Sequence, residues 1–508
     1  MKSHRSTKTP KVALPGERCV SGVEGLDDIL GGGLSRDCFY LIQGDPGSGK
    51  TTLALQFLLE GLERGESAFY VTLSETRGEL LKVAKSHGWS LDQIPLMELS
   101  AIERLLRPEA QTTVFRPSEM ELNQISKLLI DEAEKTRPRR VVFDSLSEFR
   151  LIAETPLRYR RELLNLKQHF ARFKSTVLLL DDKSGAGVDQ HILSLSHGVV
   201  EMEQLSPDYG VSRRRLRVLK LRGIKFREGY HDYLIETGGL RVFPRLIAAE
   251  HHTKFRRQPV SSGIEELDKL FGGGLDRGTT TLIIGTAGTG KSTLALQYLS
   301  SMAKRGDTGI IFAFDETRAI MLARATSMGI DLEKHIQSDV ITIQQVDPAE
   351  ISPGEFAARI VRRVQAGCKL VVIDSLNGYL NAMPGEKYLN NQLHELSSYL
   401  NQQGVVTILI LAQHGLVAAA EAPVDLSYLS DMVVHLRFFE AAGEVKQSIA
   451  VIKKRSGGHE KSIREFKLES DMGIRLGPPL KHFQGVLTGV PVFHGAAAEM
   501  MISRDAEQ

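Results

Sequence analysis

Residues 44–52 read Gly44-Asp45-Pro46-Gly47-Ser48-Gly49-Lys50-Thr51-Thr52, and residues 285–293 read Gly285-Thr286-Ala287-Gly288-Thr289-Gly290-Lys291-Ser292-Thr293. Both fit Gly-x4-Gly-Lys-Ser/Thr, a loop whose glycines let the backbone close on a phosphate chain. Each follows a short apolar run, 39–42 or 281–284, and opens an apolar stretch of helical character, 53–57 or 294–298. In that strand–loop–helix setting, backbone N–H groups and the helix N-terminus meet one anion together. Gly44, Gly47, Ser48, Gly49 and Thr52 then form one cradle, and Gly285, Gly288, Thr289, Gly290 and Thr293 the other. Lys50 and Lys291 reach the β/γ-phosphates, while Thr51 and Ser292 offer hydroxyls to Mg²⁺. A glycine turn ahead of a buried helix explains one short Gly-x-Gly. It does not explain two complete matches.

The repeat is wider than the loop. Ser21-Gly22-Val23-Glu24-Gly25-Leu26-Asp27 answers to Ser262-Gly263-Ile264-Glu265-Glu266-Leu267-Asp268, and Gly31-Gly32-Gly33-Leu34 to Gly272-Gly273-Gly274-Leu275, all at an offset of 241 residues. At Val141-Val142-Phe143-Asp144-Ser145-Leu146 and Val371-Val372-Ile373-Asp374-Ser375-Leu376 the offset has fallen to 230, so the first copy is expected to carry an insertion within 91–117. A period this long marks a duplicated domain, not a solenoid. Strands are expected at 68–73, 140–143, 176–180 and 217–221, and at 309–314, 370–373, 405–411 and 448–452. Continuous apolar runs alternating with amphipathic stretches predict α/β domains with mainly parallel central sheets, covered on both faces. The expected organisation is a tail 1–14, a first domain 15–247, a solvated linker 248–259, a second domain 260–491 and a short tail 492–508.

The 508 residues carry 64 basic and 62 acidic side chains, a net charge of +2. That balance gives no general footprint for nucleic acid or membrane, and no apolar run is long enough to cross a bilayer. The three cysteines, Cys19, Cys38 and Cys368, form no Cys-x2-Cys pattern and suit a reducing cytoplasm.

Three further groups carry chemistry. Asp144 and Asp374 each end an apolar run, where a carboxylate can hold Mg²⁺ through its water shell; capping of the next helix is the alternative. Ser74-Glu75-Thr76-Arg77 and Asp315-Glu316-Thr317-Arg318 each follow the next strand. Glu75 and Glu316 are placed to polarise an attacking water or hydroxyl. Asp315 gives the second site two adjacent carboxylates, expected to act as a coupled pair with one raised pKa. Val218-Leu219-Lys220-Leu221-Arg222 matches Val451-Ile452-Lys453-Lys454-Arg455. Alternation sets Lys220 with Arg222, and Lys453 with Arg455, on one strand face. Such cations can serve a triphosphate or blunt a sheet edge against aggregation. Arg213-Arg214-Arg215 is read as a solvated turn.

With these residues in place, the sequence resembles the KaiC family, the double-domain RecA-like ATPases of the circadian clock, over about 15–491. The Ser-Gly-Val/Ile-x2-Leu-Asp segments, the paired loops, the Glu-Thr segments, Val-Leu-Lys-Leu-Arg-Gly and Ser462-Ile463-Arg464-Glu465-Phe466 carry the likeness. The resemblance implies tandem RecA-like domains stacked as two rings in a homohexamer, with ATP and Mg²⁺ between neighbouring subunits. ATP hydrolysis is implied in the first ring, and serine/threonine autokinase and autophosphatase activity in the second. Lys220, Leu221, Arg222, Lys453, Lys454 and Arg455 would then reach a neighbour's nucleotide, and Ser86 joins the ATP-binding set by the same likeness. The catalytic glutamate pair of the family becomes Ser74-Glu75 and Asp315-Glu316. The family's phosphoacceptor pair aligns with Ser427-Tyr428: Ser427 can accept phosphate or be an ordinary loop hydroxyl, and Tyr428 is longer and less nucleophilic there. The 492–508 tail does not resemble the family segment that binds KaiA, so KaiA is not expected; a KaiB-type partner is compatible with the first ring. A nucleotide-gated scaffold without phosphotransfer is the other reading. A DNA motor lacks the basic, aromatic strand-binding loop it needs.

Overall fold

The computed structural model describes residues 18–98, 117–183, 190–206, 210–347, 349–381, 388–413, 427–441, 443–487 and 491–495. The chain divides into two compact units, Met1–Arg245 and Leu246–Gln508.

In the first unit the central strands are β1 (Phe39–Gly44), β2 (Ala68–Thr72), β3 (Leu96–Glu98), β4 (Arg140–Asp144), β5 (Thr176–Asp182), β6 (Gly198–Leu205), β7 (Arg213–Leu221), β8 (His231–Glu236) and β9 (Gly239–Phe243). Their order across the sheet is β3-β2-β4-β5-β1-β6-β7-β8-β9. The six strands from β3 to β6 run parallel, and β7, β8 and β9 are added antiparallel. The second unit repeats this with β10 (Thr280–Gly285), β11 (Gly309–Ala313), β12 (Ile341–Gln345), β13 (Leu370–Asp374), β14 (Val406–Ala412), β15 (Met432–Ala441), β16 (Glu444–Lys454), β17 (Arg464–Glu469) and β18 (Gly473–Pro479). Its order, β12-β11-β13-β14-β10-β15-β16-β17-β18, is the same topology. Both sheets are thus α/β and mainly parallel.

Why the expected runs are apolar throughout is visible in the packing. Tyr40 and Ile42 enter one core cluster while Phe39 and Leu41, pointing the other way, enter a second. Ile311 and its neighbours Ile310 and Phe312 divide in the same manner. A sheet buried on both faces loses the period-2 polar alternation of a half-exposed one. Among the strands that rule did not reach, which include β3, β8, β9, β12, β15, β17 and β18, β6 carries Glu201 and Glu203, which take Arg217 and Arg215 from β7. Arg213-Arg214-Arg215 therefore opens a strand and is not a solvated turn.

The insertion resolves into two differences. Between the positions paired on β2 and β3, Tyr70 and Leu96, the first unit uses six residues fewer than the second does between Ile311 and Ile343, where a short helix Glu333–Gln337 intervenes. From Leu96 to Arg140 the first unit spends seventeen residues more than the second does from Ile343 to Leu370. Part of that excess, 99–116, lies outside the described residues.

The 248–259 stretch, expected as a solvated linker, is partly held against the second unit. Ala248 is buried, its N–H donates to Glu395, and the His251 ring sits edge-on to Tyr399.

Candidate functional site

Each phosphate loop joins the central parallel strand to a helix, α1 (Lys50–Glu63) or α4 (Lys291–Lys304). Gly49 and Gly290 cap these helices in the left-handed region, at φ 90° and 92°. A Cβ on Gly49 would also lie 2.6 Å from Ile235. Glycine is needed there for conformation and for space.

In the first unit the Lys50 ammonium donates to Gly44 O (3.0 Å) and Asp45 O (2.9 Å) and pairs with Asp182 Oδ1 at 2.8 Å. Thr51 Oγ1 donates to Asp144 Oδ2 at 3.0 Å, and the buried Tyr70 hydroxyl donates to the same oxygen at 2.7 Å. Burial raises the Asp144 pKa against the pull of these donors. The residue that caps the following helix, α3 (Leu146–Ala153), is Ser145, so Asp144 faces the loop hydroxyl and is not a helix cap. Glu75 precedes α2 (Arg77–Ser86), whose N-terminus is fixed by a capping box between Thr76 and Glu79, a feature that stabilises a helix end by about 1 kcal/mol. Thr72 Oγ1 holds the Glu75 backbone from both sides. The Glu75 side chain is half-buried, and its Oε2 has no partner among the described residues. Burial, and then the nearby Asp144 charge, raise its pKa.

The second unit keeps the frame and changes the fittings. Lys291 donates to Thr286 O at 2.6 Å, and burial lowers its pKa to about 8. Burial raises the Asp374 pKa, and the neighbouring Ser292 hydroxyl favours its charged form. Asp374 Oδ2 is buried without a partner among the described residues. An orphaned carboxylate oxygen beside a loop hydroxyl is what a hydrated, hard cation needs. Thr51 with Asp144, and Ser292 with Asp374, are therefore the sets that would hold Mg²⁺. The Asp144–Ser145 and Asp374–Ser375 peptide bonds are both cis. Asp315 and Glu316, expected as an adjacent pair, take separate donors. Asp315 accepts from Ser375 Oγ, and Glu316 accepts from Arg324 Nη2 at 2.7 Å. Consecutive side chains at a strand end diverge, and each finds its own donor.

The late cations lie far from their own loops. Gly44, the last residue of β1, pairs with Met202 on β6, whereas Lys220 pairs with Val199, three residues back toward the start of that strand. Lys220 Nζ donates to Leu193 O and Ser196 O, and Arg222 to Ser194 O, so both clasp the carbonyl end of the helix Gln190–Leu195. Burial, with Arg222 and Lys167 nearby, lowers the Lys220 pKa. Lys453 donates to Ser430 O at 2.8 Å and Arg455 to Tyr428 O at 3.4 Å, the same arrangement in the second unit. Arg222 and Arg455 are exposed as well as clasped on carbonyls, whereas Lys220 and Lys453 are half-buried. Leu221 is in the core, and Lys454 points to the other face, where it meets Phe271 O and Asp276. Ser86 donates to Val83 O at the end of α2 and joins neither group. Ser427 opens the turn Ser427–Leu429; its side chain lies outside the described residues, and Tyr428 is exposed.

Sequence reasoning passed over Tyr70, Asp182, Ser375 and Arg324. The rule that picked Asp144, a carboxylate closing an apolar strand, applies equally to Asp181-Asp182 at the end of β5. Tyr70 and Arg324 carry no comparable signal, because each is defined by what it touches.

Two doubly covered sheets, each with a phosphate loop whose hydroxyl faces a strand-end aspartate, define a tandem RecA-like protein that binds ATP. The KaiC ATPase family model matches residues 19–247 and 260–481, and the chain belongs to that family. It is 26% identical over 490 residues to the circadian clock oscillator protein KaiC of Acaryochloris marina, covering 93% of this chain and 91% of that one. To the protein of the same name from Synechococcus elongatus it is 27% identical over 484 residues, covering 92% and 91%. To the circadian clock protein KaiC3 of a Synechocystis species it is 26% identical over 487 residues, covering 94% and 95%. Among the described residues no helix is long and apolar enough to cross a membrane.

Proposed function

We propose that the chain hydrolyses ATP in its first unit and, in its second, transfers the γ-phosphoryl group to Ser427 and later removes it, acting in circadian-type or stress signalling in the cytoplasm. The observation that carries this is the shared frame. In both units a strand-end aspartate stands at the loop hydroxyl, with a further carboxylate on the neighbouring strand end. Bound Mg²⁺ would offset the charge on the β/γ-phosphates. In the first unit Glu75 takes a proton from water as the water oxygen bonds to the γ-phosphorus and the bond to the ADP oxygen breaks. In the second, Asp315 takes the Ser427 proton, and the same displacement leaves phosphoserine and ADP. Lys220 with Arg222, and Lys453 with Arg455, complete a neighbouring chain's site, which calls for a ring, in this reading a homohexamer. A KaiB-type protein is the partner class the first ring would suit.

One observation favours the scaffold reading, in which ATP holds the ring and no phosphoryl group reaches protein. Arg324 occupies Glu316, one of the two candidate bases of the second unit. Incubation with γ-labelled ATP separates the two. Label on the wild type, lost in Ser427→Ala and in Lys291→Ala, supports phosphotransfer. Label that never appears, with the assembly still ATP-dependent, supports the scaffold.

A further inference from the structure

The two loops differ in what their lysines hold. An ammonium has three donors, and Lys50 uses them on Gly44 O, Asp45 O and Asp182 Oδ1. The first two acceptors are neutral carbonyls of the loop. Asp182 is the anionic one, and so the one that stands where a phosphate oxygen competes. It is the last residue of β5, paired with Gly44. The residue paired with Gly285 in the second unit is Ala412.

We propose that Asp182 is an affinity-setting residue that competes with bound nucleotide for Lys50, a restraint the second loop lacks. The proposal rests on the reading that both loops bind ATP. When a phosphate takes Lys50, the Asp182 carboxylate loses its cation. It then faces the phosphate charge and that of Asp144, whose own ionisation Asp182 already disfavours. Its neighbour Asp181 cannot share the burden by lending a cation, because Arg150 and Ser147 already hold it, at 2.6 and 3.0 Å. In the second unit Lys291 leaves no carboxylate behind at position 412. The Asp182 side chain is 44% exposed, against 9% for Lys50, so solvent moderates the effect.

The test uses the full chain with Lys291→Ala, so that only the first loop reports, titrated with a fluorescent N-methylanthraniloyl ADP and Mg²⁺. Asp182→Asn is expected to tighten binding by about threefold to tenfold, chiefly by slowing release, as loss of a partly exposed competing charge allows. The gap should narrow at high salt. On a Lys50→Ala background, Ala412→Asp should weaken the second loop by a similar factor. Unchanged or weaker binding in Asp182→Asn overturns the proposal, as does an Ala412→Asp chain that binds as its parent does. If the Lys50→Ala/Lys291→Ala chain binds with undiminished affinity, the loops are not the nucleotide sites and the underlying reading fails instead.

Discussion

Arg324 Nη2 donates to Glu316 Oε2 at 2.7 Å, whereas the position equivalent to Arg324 in the first unit, 241 residues earlier, is Val83, packed against the core. The glutamate expected as a base thus has a cation in one unit and none among the described residues in the other. Arg324 occupies a Glu316 oxygen, while Glu75 Oε2 has no partner among the described residues and burial raises the Glu75 pKa.

Glu75→Gln should therefore remove most first-unit turnover, by about 10²–10⁴-fold, measured as phosphate release from a Lys291→Ala chain. Because burial raises the Glu75 pKa, the wild-type rate should climb with pH through a value above the ordinary carboxylate range. The Gln variant should lose that limb. A Glu75→Gln chain with full turnover would remove Glu75 from the mechanism.

In the second unit the asymmetry predicts that Asp315→Asn abolishes labelling of Ser427, while Arg324→Ala, by freeing Glu316, leaves it intact or raises it. Phosphopeptide mapping of both variants decides. Label surviving in Asp315→Asn and vanishing in Arg324→Ala would reverse the two roles.

Tyr70 supplies a second donor to Asp144 from inside the core. Tyr70→Phe should cost about 1–2 kcal/mol of stability, the usual effect of losing a buried hydrogen bond to an ionisable partner. It should also raise the Mg²⁺ concentration needed for half-maximal hydrolysis more than it lowers the limiting rate. Thermal melts and Mg²⁺ titrations of the same samples separate the packing effect from the effect on the carboxylate.

Burial sets Lys291 at about pH 8, and a phosphate is held by the ammonium form. In a Lys50→Ala chain, nucleotide affinity should be level below pH 8 and fall above it, by up to about tenfold per unit. Nucleotide-free stability moves the other way. Between pH 8 and the ordinary lysine pKa of 10.5 the unfolded chain binds the proton that the folded chain releases, so this group stabilises the fold as pH rises. Isothermal titration at pH 7, 8 and 9 measures the first trend, and denaturant melts the second.

Arg222→Ala should lower first-unit hydrolysis by about 10³-fold or more, as removal of a finger cation does. A mixture of Arg222→Ala chains with Lys50→Ala chains should regain part of the activity each lacks alone. No recovery on mixing would mean that each loop works without a neighbour.

The loops, both strand-end aspartates and the sheet interior were legible because each is fixed by local chemistry: glycines at positive φ, a carboxylate where a strand stops, apolar residues on both faces. Strand β6 was not, since its glutamates take their reason from arginines on β7. Lys454 was grouped with Lys453 by adjacency, although strand alternation turns it to the opposite face. The separate donors of Asp315 and Glu316 were not legible either, because Ser375 and Arg324 approach from other elements. Contacts across the fold leave little trace in a single chain.

Each unit has its phosphate loop at one end of the sheet and its clasped cations at the other, so it possesses a head and a tail. Two copies related by a twofold axis could serve both nucleotides only by a reciprocal exchange, the loop of each against the cations of the other. If instead the cations of each copy serve the loop of the next, contacts of head to tail either close into a circle or grow without limit.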